Sequence, residues 1–144
     1  MAPCPFCEVI AGDRHHEIVY SDPTVVAFLC EPPAAWGHTL VVPRRHVEDI
    51  WSIKESELTA VTAAARRVAH ALQVAVSADG VSLRQNSGDA SGQDVNHFHM
   101  HVVPRHEGDV LGRACVWGLA PWKPPKGGER KRRQVADALR GSLA

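Results

Sequence analysis

His97-Phe98-His99-Met100-His101 is the segment that most restricts how this chain can fold. In a strand, residues i, i+2 and i+4 share a face, so the alternation predicts three imidazoles on one side. Phe98, Met100 and Val102 then point into the core on the other. A helix is a poor host for this pattern, because its apolar positions recur at every third or fourth residue. Three imidazoles on one buried face hold more polar nitrogens than a core tolerates without partners. The competing readings are a histidine run that binds metal adventitiously and core histidines satisfied by backbone.

The surroundings of that strand predict an α+β domain with a mostly antiparallel sheet of about five strands. Ile18–Tyr20, Val25–Cys30, Thr39–Val42, Val81–Gln85 and Val95–Val103 read as strands, with Ser21-Asp22-Pro23 as a turn. Glu8–Ala11 reads as a short N-terminal helix ending at Gly12. Ser52-Ile53-Lys54-Glu55 has the form of a capping box. Leu58, Val61, Ala65, Val68, Ala69, Leu72 and Val76 then recur near period 3.6 in one long helix closed by Asp79-Gly80. Asn86 to Gly92 reads as a flexible loop, and Glu129 to Arg140 as a second helix or a frayed basic tail. A length of 144 residues suits one domain. Residues 1–110 form the expected domain, and 111–144 a tail or helix packed on it or extending it.

Charge narrows the function classes. Sixteen Lys and Arg balance sixteen Asp and Glu, which argues against a general nucleic-acid or membrane binder. No apolar run approaches the roughly 18 residues of a membrane span, and Met1 to Cys7 lacks a secretory-signal layout. A cytoplasmic location with reduced thiols is the expectation. In that setting Cys4-x-x-Cys7 suggests metal or redox chemistry. A thioredoxin-like role is disfavoured, because no strand pattern precedes the pair. A closed tetrahedral zinc needs two further ligands.

His97-x-His99-x-His101-Val102-Val103, with Asn86 and Gly92-Gln93-Asp94-Val95 upstream, resembles the signature of the histidine triad (HIT) superfamily of nucleotidyl hydrolases and transferases. Gly37-His38-Thr39-Leu40-Val41-Val42-Pro43-Arg44-Arg45-His46 resembles that family's other diagnostic stretch, and the likeness covers about the first 110 residues. The resemblance implies the HIT fold and a reaction at the α-phosphorus of nucleoside 5′-phosphoramidates or nucleotidyl conjugates. It assigns His99 as nucleophile, with a backbone carbonyl orienting its other nitrogen. His101 and Gln93 become donors to the phosphoryl oxygens, and His38 becomes the ring packed behind the triad. Asn86, Gly92, Asp94 and Val95 then belong to the phosphate loop, while Phe6, Val9, Phe28 and Leu40 match base-pocket positions.

By the same resemblance, Cys4, Cys7, His46 and His97 match the ligand set of a structural zinc found in several bacterial members, with no catalytic metal required. The rival arrangement places zinc on His97, His99 and His101. A purine nucleotide substrate and a homodimer are the implied partners. Two residues depart from the family pattern: Cys30 stands where many relatives have an aspartate for the ribose, with Glu31 beside it as a substitute. Asp94 stands where many have Ser or Thr, so its charge either repels phosphate or holds loop amides or a histidine. His15 and His16 are expected in solvent, His70 on a helix face, and Trp117 and Trp122 over the pocket or a partner. Dinucleoside polyphosphate hydrolysis, a non-catalytic nucleotide sensor and a zinc-finger-like nucleic-acid binder are the alternative functions.

Overall fold

A computed structural model describes residues 4–109 and 124–144. Five strands, β1 (Ile18–Ser21), β2 (Val25–Leu29), β3 (Thr39–Pro43), β4 (Gly80–Arg84) and β5 (Met100–Arg105), form one antiparallel sheet in the order β1-β2-β3-β5-β4. With helices α1 (Pro5–Ala11), α2 (Glu55–Ala75) and α3 (Gly128–Leu143), this is the α+β architecture that the sequence predicts.

The sheet separates two cores. On one face Ala27, Leu29, Val41 and Val102 meet Val61, Ala65, Val68 and Leu72 of α2, and Val135, Ala136 and Leu139 of α3. All are buried, and truncating a residue such as Leu72 to alanine costs roughly 2–5 kcal/mol. On the other face Val26, Phe28, Leu40 and Val42 are covered by Phe6 and Val9 of α1. A helix of seven residues is too short to persist alone, so α1 depends on this burial. Register places Phe28 opposite Leu40, Leu40 opposite His101 and His101 opposite Arg84, so these four form one cross-strand row on the α1 face.

Several boundaries differ from the sequence expectation. Cys4 caps α1, its sulfur accepting from the Cys7 amide, so the helix begins at Pro5 rather than Glu8. Ser52 does not cap α2. Asp49 collects the Trp51 and Ser52 amides and the Ser52 hydroxyl, and α2 starts after Lys54, whose amide bonds Glu57. The helix ends at Ala75, and Gly80 opens β4 instead of closing α2. The β5 ladder starts at Met100, leaving Val95 to His99 outside the ladder, bent at Val95 to His97. The C-terminal segment is a helix, not a frayed tail: Arg140 bonds the Ile18 carbonyl and Glu17, and Arg132 pairs with Glu31.

Gly37 makes the turn into β3 possible. Its φ of 103° is a left-handed conformation, and a Cβ there would lie 2.7 Å from Leu72 Cδ2. Only glycine lets the chain pass this close to α2 and deliver His38 beneath the sheet.

Candidate active site and metal centre

Hydrogen bonds to groups of fixed polarity determine the imidazole tautomers. His99 Nδ1 lies 2.7 Å from the His97 carbonyl oxygen, which only accepts, so Nδ1 carries the proton and Nε2 the lone pair. His38 Nδ1 accepts from the Ala34 amide at 3.0 Å, so a neutral His38 is protonated at Nε2. That Nε2–H donates to His101 Nδ1 at 2.9 Å, which leaves the His101 proton on Nε2. Burial, then the charges of His101 and His99, push His38 well below its ordinary value of 6.5. Burial, followed by His99, lowers His101 to about 4, so both rings are neutral near pH 7. The His99 and His101 rings lie edge to face at 5.1 Å. An unprotonated nitrogen thus stands beside a ring that presents N–H, the pairing needed for attack on phosphorus with a donor at hand.

These two rings open into a cavity of about 130 Å³ lined by Phe6, His16, Cys30, Glu31, Pro32, Leu40, Asp94 and Val95 as well. Larger cavities of about 440 and 560 Å³ lie elsewhere, around Arg105 and around Trp36, without clustered imidazoles. Phe28 backs the wall from the core, edge-on to Phe6 and to His16 at 5.3 Å. Asp94 Oδ1 stands 3.5 Å from His99 Nε2, while 77% of the Asp94 side chain is exposed. Its contact with His99 holds the Asp94 carboxyl below the usual range against the opposing effect of burial. The carboxylate thus lies against a histidine of the triad rather than out over the loop. Burial, then Asp94 and Glu31, push the Cys30 thiol up to about 12, so it stays protonated.

His16 is not in solvent. Its Nδ1 donates to the Leu29 carbonyl at 3.2 Å and lies 3.2 Å from Glu31 Oε2. The Ile18–Phe28 pairing puts it there, and extending the β1–β2 register by two residues brings position 16 to position 30. That register was the available signal. Arg84, opposite His101 and bonded to Asn86 Oδ1 at 3.2 Å, was missed for the same reason.

The loop before the triad is braced internally. Gln93 Oε1 accepts from the Gly88 amide at 2.8 Å, and Nε2 donates to the Glu48 and Val95 carbonyls. The Gln93 amide is therefore engaged with backbone and absent from the cavity lining, unlike Val95 and Asp94. Gly92, at φ 93°, closes the short 3-10 turn Asp89–Ser91, with Asn86 Nδ2 alongside. Cys115, Trp117 and Trp122 lie outside the described residues.

A second cluster sits behind His99. The ligand atoms of Cys4, Cys7, His46 and His97 all lie within 4.8 Å of one another. Cys4 Sγ is 3.4 Å and Cys7 Sγ 3.5 Å from His97 Nδ1, and Cys7 Sγ is 3.3 Å from His46 Nδ1. Tetrahedral zinc, with about 2.3 Å to sulfur and 2.0–2.1 Å to nitrogen, separates such donors by about 3.6 Å, so the set fits. His97 Nε2–H donates to the Pro43 carbonyl at 2.8 Å, which turns the Nδ1 lone pair toward the sulfurs. Burial lowers His97 to about 4, keeping it neutral. Burial and then Cys4 raise Cys7 to about 11, so a thiolate there requires a cation. His97 thus belongs to the cysteine cluster, and the zinc set of His97, His99 and His101 does not assemble.

Comparison with known proteins gives one consistent family. Residues 11–108 match the HIT domain. An uncharacterized HIT-like protein of Saccharolobus solfataricus is 44% identical over 101 residues, covering 70% of this chain and 73% of that protein. The Bacillus subtilis protein named Hit is 36% identical over 115 residues, 79% of this chain and 78% of its own. Among solved structures, a zinc-bound histidine triad family protein from Mycobacterium smegmatis superposes with a TM-score of 0.82 at 31% identity, over 97% of this chain and 92% of that one. A hypothetical histidine triad nucleotide-binding protein from Sulfolobus tokodaii gives 0.83 at 29% identity, over 97% and 91%.

Proposed function

The chain belongs to the HIT domain family, and on that premise we propose that it is a nucleotide hydrolase cleaving nucleoside 5′-phosphoramidates or nucleotidyl conjugates of purines at the α-phosphorus. The observation that carries this reading is the bond from His99 Nδ1 to the His97 carbonyl, which leaves Nε2 unprotonated beside His101.

His99 Nε2 attacks the α-phosphorus, the bond from phosphorus to the leaving nitrogen breaks, and the amine departs with the electron pair, taking from solvent a proton that the later attack of water returns. The nucleotidyl group is then on His99, whose developing positive charge is offset by its Nδ1–H bond to the carbonyl. His101 Nε2–H donates to a phosphoryl oxygen as charge builds there. His38 keeps that proton on the outer nitrogen by occupying the inner one. Water then attacks phosphorus, giving a nucleoside monophosphate and free His99. Amides near Gly92 and the Asn86 side chain add donors, and Gln93 acts through the loop it braces. Phe6, Leu40 and Val95 face the base, with Phe28 behind them. Glu31, held by His16 and Arg132, accepts from the ribose hydroxyls in place of the aspartate that Cys30 replaces.

A structural zinc on Cys4, Cys7, His46 and His97 is part of the proposal, supported by the donor spacing and the zinc-bound relative. Bound there, it supplies a cross-link with no open position, because four protein ligands complete a tetrahedral shell. A homodimer through β4 is also proposed: this strand is at the sheet edge, and Val81 and Leu83 are 38% and 50% exposed on it. Sedimentation should show two chains that Leu83→Lys separates, and a single chain throughout would remove the dimer. The reaction is tested by incubating the protein with adenosine 5′-phosphoramidate. Release of AMP by the wild type and none by His99→Ala is expected. Equal turnover by the variant would overturn the assignment.

A further inference from the structure

Among the described residues lining the cavity, Glu31 and Asp94 are acidic, and there is neither a lysine nor an arginine. Glu31 is balanced by Arg132 at 3.1 Å and by His16. Asp94 is not balanced in this way: its partner is His99 Nε2, the atom that must be turned toward phosphorus. A phosphoryl group within reach of that nitrogen lies next to the Asp94 carboxylate. His38 and His101, neutral near pH 7, contribute donors and no compensating charge.

We propose that Asp94 makes this cavity select its ligand by phosphoryl charge, admitting a nucleotide whose phosphorus carries one negative charge and disfavouring a terminal dianion or a polyphosphate. The inference rests on the nucleotide reading above and narrows its substrate class. A phosphoramidate or phosphodiester is a monoanion, whereas a nucleoside monophosphate loses its second proton near pH 6 and becomes a dianion. The same carboxylate that tolerates the substrate therefore expels the product, and it favours leaving groups that are neutral or cationic amines over polyphosphate chains. At an effective dielectric near 20, one extra unit charge a few ångströms from the carboxylate is worth more than ten-fold in affinity.

Two ligands that differ by one charge isolate the effect without any turnover: AMP and adenosine 5′-methyl phosphate, titrated calorimetrically at pH 8 and low ionic strength. In the wild type the methyl ester should bind at least about ten-fold more tightly than AMP. Asp94→Asn, which keeps the size of the side chain and one acceptor oxygen while removing the charge, should bring the ratio close to one by tightening AMP. Asp94→Ser should do the same, and equal melting temperatures for the exposed position verify the fold. A wild type without the preference, or a preference that survives both variants, overturns the proposal. Absence of binding by either nucleotide overturns it together with the nucleotide reading. A charge preference in a protein that leaves the phosphoramidate intact supports the selection by Asp94 and removes only the hydrolase.

Discussion

His99 and His101 are identical side chains two residues apart, and backbone groups give them opposite jobs. The His97 carbonyl pins the His99 proton on the inner nitrogen, whereas the Ala34 amide, acting through His38, drives the His101 proton to the outer one. The second arrangement requires His38 to donate. Replacing it with alanine frees His101 to take the other tautomer and removes a donor from the developing phosphoryl charge. His38→Ala should lower kcat by about 10²–10³ with little change in KM, the effect of losing one preorganised donor. Steady-state kinetics would read this, and a kcat within a few-fold of wild type would show that the relay does not orient His101. Glutamine at position 38 can still donate through its side-chain nitrogen, so His38→Gln should recover part of the loss.

At the scale of elements, α1 and the triad segment are tied at one residue. His97 offers Nδ1 to the cysteine cluster and its own carbonyl to His99, while Phe6 of α1 rests edge-on against His97 and His99 at 6.0 and 5.1 Å. Removing the metal should release α1, since seven residues cannot hold helical structure unaided. Elemental analysis should find about one zinc per chain, retained in His99→Ala and lost in Cys4→Ser. In the zinc-free protein, hydrogen exchange should show faster exchange of the α1 amides. Zinc retained without Cys4, or unchanged α1 protection, would contradict the link. The alternation at 97–101 made His99 and His101 legible from sequence, and Cys4-x-x-Cys7 did so for half of the metal cluster. Two features were hidden, one because it depends on distant chain and one because near neighbours compete for the same amides. The ladder begins only at Met100, so His97 turns toward the cysteines instead of joining a regular strand. Ser52 and Glu55 match a capping box, yet Asp49 outcompetes Ser52 for the turn amides and Glu57 takes the Lys54 amide.

Among the described residues, the sheet carries two helices on one face and a short helix and the candidate site on the other. That division buries His38, His97 and His101, and it sets an acid limit on stability. His97 and His101 titrate near 4 in the folded protein against an ordinary 6.5, and His38 lies well below that value. Between those pH values the unfolded chain binds more protons than the native one, so stability rises with pH. Their contribution is complete above about 6.5 and is lost as the pH falls toward 4. Carboxylates lowered by partners, Glu17 by Arg140 and Glu57 by Arg45, extend the loss below the ordinary carboxylate range. The melting temperature should therefore fall steadily from pH 7 to pH 5, before most carboxylates titrate, and a flat profile across that interval would contradict the burial of neutral imidazoles. The C-terminal helix was ambiguous in sequence because its many charges suit either a solvated tail or an anchored helix. Arg132 and Arg140 decide the matter through Glu31 and Glu17, residues more than a hundred positions away.

The proposed mechanism makes His99 Nε2 the atom that forms the bond to phosphorus. Turnover of adenosine 5′-phosphoramidate, quenched within milliseconds at alkaline pH and analysed by peptide mass spectrometry, tests this directly. An adenylyl increment on the peptide containing His99, localised to that ring and absent from His99→Ala, is the expected result. Rapid AMP release with no adduct at any quench time, or with the adduct on another side chain, would contradict it.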